Sequence, residues 1–174
     1  MKTITNITSP SRRHLPSLGL LLITAVALAF APPAARASGE KPFHANFITQ
    51  VESFVEYPLL HVRVNSRGQA TYMGRTTAFA DDQFVSLIDG SATATYTLTG
   101  VNGDTLILAM TFQSTEVTGG VTFAGSYTVA GGSGRFERAT GSGLLAGGAL
   151  FLDETNGIGA FSVVGTISVG GSLK

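Results

Sequence analysis

The chain has 174 residues, eleven Lys and Arg against eleven Asp and Glu, 44% hydrophobic residues and no cysteine. The missing cysteine excludes disulfides, thiol catalysis and a lipidated N-terminal Cys. Seven basic and eleven acidic residues follow position 37, a balance of −4 with no basic run, so the electrostatic footprint of a nucleic-acid binder is absent.

From the N-terminus, MKTITNITSPSRRHLPS is polar and basic, and LGLLLITAVALAF (Leu18 to Phe30) is an unbroken run of apolar, Gly and Thr residues. APPAARAS follows, with Ala35 and Ala37 at the positions a signal peptidase reads before Ser38. A basic region, a short apolar core and an A-x-A exit predict a secretory signal over residues 1–37, and an apolar run this short falls below the ~20 residues of a spanning helix. Arg12-Arg13 ahead of the apolar core matches the mark of the twin-arginine route, but paired basic residues also occur in ordinary secretory signals and Leu15-Pro16-Ser17 fits the fuller pattern only in part, so both export routes stay open. The expected mature chain, 38–174, is one exported domain long enough to bury a core, with no linker dividing it.

Beyond Lys41 the residues alternate with period two, the signature of strands with one buried face. HANFITQV (His44 to Val51), LLHVRV (Leu59 to Val64) and GQATYMGRTTAFA (Gly68 to Ala80) show it loosely. SATATYTLT (Ser91 to Thr99) shows it cleanly, with Ala92, Ala94, Tyr96 and Leu98 on one face and Thr or Ser on the other. Asn102-Gly103 marks a tight hairpin. The returning strand puts Leu106, Leu108, Met110 and Phe112 together, VTFAGSYTVA aligns Val121, Phe123, Tyr127 and Val129, and AFSVVGTISV aligns Phe161, Val163, Ile167 and Val169.

About eight strands with short turns and no helical pattern predict an all-β protein. A closed eight-stranded antiparallel β-barrel is the favoured architecture, because closure removes exposed edges; a sandwich is the alternative. The 22 glycines exceed the typical ~7% of residues, and Gly74, Gly125, Gly147 and Gly165 within strands predict bends or close backbone approach. An outer-membrane barrel would turn an apolar face to lipid. Here the face opposite the aromatics is Thr and Ser, so no membrane insertion is expected after signal removal.

GGSGRFERATGSG (Gly131 to Gly143) invites comparison with a phosphate-binding loop. No Gly-Lys-Ser/Thr occurs, no G-x-G-x-x-G occurs, and no helix follows to aim amides at an anion. The segment therefore reads as β-fold punctuation, with Phe136 plugging the core. His44 and His61 are too far apart in sequence for a local metal motif, and neither Asp81-Asp82 nor Asp153-Glu154 has calcium-loop spacing. Both acid pairs are expected at turns. No G-x-S-x-G nucleophile elbow exists, and no metal or cofactor is called for. The remaining candidates are ligand-pocket residues: Tyr72, Tyr96, Phe112, Phe123 and Tyr127 on the expected inner faces, and Arg135, whose guanidinium needs an anion or a carboxylate such as Glu116, Glu52 or Glu56.

GSYTVAGGSGRFERATGSG (Gly125 to Gly143) resembles the G-x-Y-x-[IV]-x-G-G-[TS]-G-R-F-x-x-A-x-G motif of the allene oxide cyclase and dirigent-like barrels. GQATYMGRTT (Gly68 to Thr77) resembles the G-x-A-T-x-x-G-[RK] segment of their bacterial relatives, with Tyr72 where a His is often seen, and NGDTL (Asn102 to Leu106) fits the same group. The likeness covers most of residues 43 to 170. It implies an eight-stranded antiparallel barrel with a largely apolar cavity. Members include plant cyclases acting on fatty-acid epoxides, dirigent proteins that steer phenoxy-radical coupling, and bacterial polyketide cyclases with a related barrel. No catalytic role carries over to a residue here. The expectation is a barrel binding a small hydrophobic molecule; the alternatives are a cofactor-independent isomerase or cyclase and a secreted structural or interaction protein with a solid barrel.

Overall fold

The computed structural model describes residues 39–169; the expected signal segment lies outside them. Eight strands run in chain order: β1 (Lys41–Glu56), β2 (Leu59–Ala70), β3 (Gly74–Ser86), β4 (Ser91–Gly100), β5 (Thr105–Val117), β6 (Gly120–Gly132), β7 (Thr140–Phe151) and β8 (Asn156–Ser168). Each pairs antiparallel with its neighbours, and β8 returns to β1 to close the barrel. The fold is the closed eight-stranded antiparallel barrel that the alternation predicts. In β4, Ala92, Ala94, Tyr96 and Leu98 are buried while Thr93 and Thr95 face out. Inward Leu106, Leu108, Met110 and Phe112 stand opposite them across the ladder with β5.

The glycines find their reason in register. Phe47 lies opposite Gly68, Phe112 opposite Gly125, Phe123 opposite Gly147, and Tyr127 opposite Gly143. A Cβ at Gly68, Gly143 or Gly147 would come within 2.8 Å of the facing ring. The aromatic rings thus lie over bare backbone on the next strand, which lets an eight-stranded barrel house so many of them.

Two expectations are corrected. Gly68 to Ala80 is not one strand: β2 ends at Ala70, and the chain reverses through Thr71–Met73 before β3 starts. Tyr72 (φ 67°) and Gly74 (φ 69°) both take the left-handed conformation that such a tight reversal needs. The Thr71 hydroxyl fixes the turn, donating to the His44 carbonyl and accepting from the His44 amide.

Asp81-Asp82 lies inside β3, not at a turn, in a β-bulge. Val64 pairs with Ala80 and Val62 with Gln83, so Asp81 and Asp82 together oppose Arg63 alone. Arg63 donates to Asp81 at 2.7 Å, which satisfies the extra residue. The bulge resets the alternation. Ala78 and Ala80 point inward before it, both aspartates stay outside, and Gln83 and Val85 point inward after it. Asp153-Glu154 does sit in a turn, where Asp153 accepts hydrogen bonds from Thr155 and Asn156.

Candidate functional site

The two barrel ends differ. One carries the turns Thr71–Met73 and Val101–Asp104 and the segment Ser133–Ala139. There Gly131 (φ 137°) and Gly134 (φ 59°) let the chain fold into a 3₁₀ turn, Gly134–Phe136, that drives Phe136 into the barrel. Phe43, Leu98, Leu106, Phe136 and Ile167 have no solvent exposure at this end. A side chain at Gly134 would fall onto the Asp104 carboxylate. The GGSGRF segment is a stopper, as its reading as a core plug anticipated.

Arg135 holds the stopper down. Its Nε donates to Asp104 at 2.7 Å, its NH2 group donates to the Tyr72 carbonyl at 2.8 Å, and the guanidinium lies 5.5 Å from the Phe136 ring centre. The carboxylate partners expected for it are corrected. Glu52, Glu56 and Glu116 belong to the far half of the barrel, where β1 and β5 end. Tyr72 is corrected too: it occupies the turn and packs against the closed end, not along an inner strand face. Arg135 and Tyr72 therefore come together, but away from the other four candidates.

Those four line the lumen. Phe112 and Phe123 meet at 5.3 Å between ring centres, and Tyr96 stands edge-on to Phe161 at 5.3 Å. Tyr96 donates to Gln83 Oε1 at 3.0 Å. Tyr127 stands edge-on to Phe43 at 6.3 Å, and its buried hydroxyl has no protein hydrogen-bond partner among the described residues. Burial pushes both phenols well above their ordinary range, because the phenolate would be desolvated. Thr49 and Ser66 add a buried hydroxyl pair at 2.7 Å. Gln83 is an inner residue the sequence reading missed, since only the bulge turns it inward.

The second end bears the connections Tyr57–Pro58, Leu87–Gly90, Thr118–Gly119 and Leu152–Thr155. Inward residues of this half, Val51, Leu60, Val85 and Phe123, are only partly buried; toward the first end Val129 and Val169 are partly buried too, but beside a fully sealed cluster that this half lacks. The barrel is therefore stoppered at one end and looser at the other. Around the open end, Phe54, Val55, Tyr57, Leu87, Ile88, Val117, Phe151 and Leu152 are exposed. Two concave surfaces lie outside the barrel and share the bulge aspartates. One of about 700 Å³ runs past Phe79, Asp81 and the outward threonines of β4. The other, about 450 Å³, is bounded by Glu52, Phe54, His61 and Arg63. In the second, His61 stacks on Phe54 at 4.6 Å and meets Phe84 edge-on at 5.0 Å.

No family model and no curated protein matches the chain. Among solved structures, the chain is similar to a pterocarpan synthase dirigent protein at 13% identity, with a TM-score of 0.48, 80% of this chain and 92% of that chain covered.

Proposed function

We propose that this protein is an exported β-barrel of the allene oxide cyclase and dirigent type that holds a small apolar molecule in the open-end half of its lumen. The observation that carries the reading is the asymmetry of the barrel. Phe43, Phe136 and Ile167 are sealed at one end, while Val51, Leu60, Val85 and Phe123 toward the other are only partly buried. An apolar ligand gains roughly 25 cal/mol for each Å² it removes from water. The Tyr96–Gln83 and Thr49–Ser66 pairs supply the few polar groups that fix orientation in such a site. The family reading rests on the G-x-Y-x-V-x-G-G-S-G-R-F stretch, whose glycines and Phe136 build the stopper. Export rests on the basic, apolar and A-x-A succession of residues 1–37.

Native mass spectrometry of the protein purified without detergent tests the ligand reading. The expected spectrum holds a second species heavier by one small organic molecule, which organic extraction removes and an added apolar probe such as N-phenyl-1-naphthylamine restores. A single unliganded mass that takes up no probe would contradict it. Export has its own readout: the intact mass of the processed protein should begin near Ser38.

A further inference from the structure

The ring of apolar residues at the open end is not explained by a ligand lying deeper in the barrel. Tyr57 is 79% exposed, Ile88 73% and Leu152 65%, and together with Val55, Val117 and Phe151 they bring apolar surface to all four connections of that end. Solvated apolar side chains gathered on one face mark an interaction surface. Apart from His61, whose Nε2 lies 3.4 Å from Glu56, the charged residues of the same face are acidic. Glu56, Asp89, Glu116, Asp153 and Glu154 stand on or beside these connections, and none of the connections contains Lys or Arg. Arg63, further along β2, is engaged by Asp81 and lies 4.0 Å from Glu52. Hydrogen bonds from their own turns hold the Asp89 and Asp153 carboxyls below the usual carboxylate range, so these two keep their charge in mild acid.

Apolar contact combined with a fixed negative field restricts what can sit there. A second copy meeting the same face would set carboxylates against carboxylates, and a bilayer rich in anionic lipid would be repelled. We propose that the open end is the docking face for a cationic amphipathic polypeptide segment, whose apolar side chains seat on Tyr57, Ile88 and Leu152 while its Lys or Arg residues face the surrounding carboxylates. This does not depend on the lumen holding a ligand.

Fluorescence anisotropy of a labelled synthetic helix of Leu and Lys, titrated with the purified full chain, tests it. Binding is expected, weakening as salt rises from about 50 mM to about 500 mM because the paired charges are exposed. An isosteric helix of Leu and Glu should not bind. The double variant Ile88→Ser, Leu152→Ser should weaken binding by about tenfold or more through lost apolar contact. The double variant Glu56→Gln, Glu154→Gln should weaken binding and flatten its salt dependence. All four side chains are solvent-facing, so circular dichroism and urea midpoints should be unchanged. The proposal is overturned if the two helices bind alike or neither binds. It is equally overturned if the Ser variant binds as tightly as the parent. Co-sedimentation with phosphatidylcholine–phosphatidylglycerol vesicles that the Ser variant abolishes would assign the face to lipid instead. A parent dimer that the Ser variant dissolves would assign it to self-association.

Discussion

Tyr127 and Tyr96 are two buried phenols with opposite hydrogen-bond standing. Tyr96 donates to Gln83, whereas Tyr127 has no protein partner among the described residues and lies against Gly143 and Gly165. A buried hydroxyl without a partner costs on the order of 1–3 kcal/mol, and an ordinary hydrogen bond contributes about 1 kcal/mol net. Tyr127→Phe should therefore leave the urea midpoint unchanged or raise it, while Tyr96→Phe should lower stability by about 1 kcal/mol. A clear loss on Tyr127→Phe alone would show that its hydroxyl is satisfied. Alkaline pH supplies a second check. Both phenols have pKa values raised in the folded state by burial, above the unfolded value of about 10. The fold therefore holds protons that the unfolded chain releases, so their stabilising effect is complete below about pH 10 and is lost as pH rises further. Urea midpoints should be flat through neutral pH and fall above about pH 10, with a shallower fall in the double Phe variant.

At the scale of elements, the bulge in β3 decides which side chains reach the lumen. Removing Asp82 would leave Ala80 inward, Asp81 outward and Gln83 inward, an unbroken alternation; removing Thr95 from regular β4 would turn the remainder of that strand inside out. The Asp82 deletion should fold, with amide exchange near Thr95 slowed as the β3–β4 ladder fills in. The Thr95 deletion should not fold, as read by near-ultraviolet circular dichroism. Equal behaviour of the two deletions would show that the register is not set there. The same bulge marks the limit of what the residues disclose alone. Strands with strict period two, such as Ser91 to Thr99, were legible because burial on one face needs only alternation. An extra residue that resets the alternation has no local signature, so Asp-Asp resembles a turn and Gln83 resembles a surface residue. Tyr72 shows a related limit. Ala-Thr-Tyr-Met-Gly carries β-forming residues, and only the left-handed backbone at Tyr72 and Gly74 discloses the reversal. Phe136 was legible as a plug because it is a lone aromatic among glycines. The partner of Arg135 was not, because Asp104 comes beside it only once the β4–β5 and β6–β7 connections meet at one end.

For the molecule as a whole, sequence alternation fixes a barrel but does not distinguish its ends. That distinction comes from the 3₁₀ stopper at Phe136 on one side and the apolar, acidic ring on the other. In the proposed reading a small molecule enters from the looser end, past the partly buried Val51 and Val85 toward Phe112 and Phe123. The most direct measurement is a two-dimensional amide NMR titration of the labelled protein with N-phenyl-1-naphthylamine. The expected result is saturable shifts at Val51, Val85, Phe112 and Phe123, with Phe136, Arg135 and Asp104 unmoved. Shifts confined to the outer groove at Phe79 and Thr95, or none at all, would contradict a ligand held in the open half of the barrel.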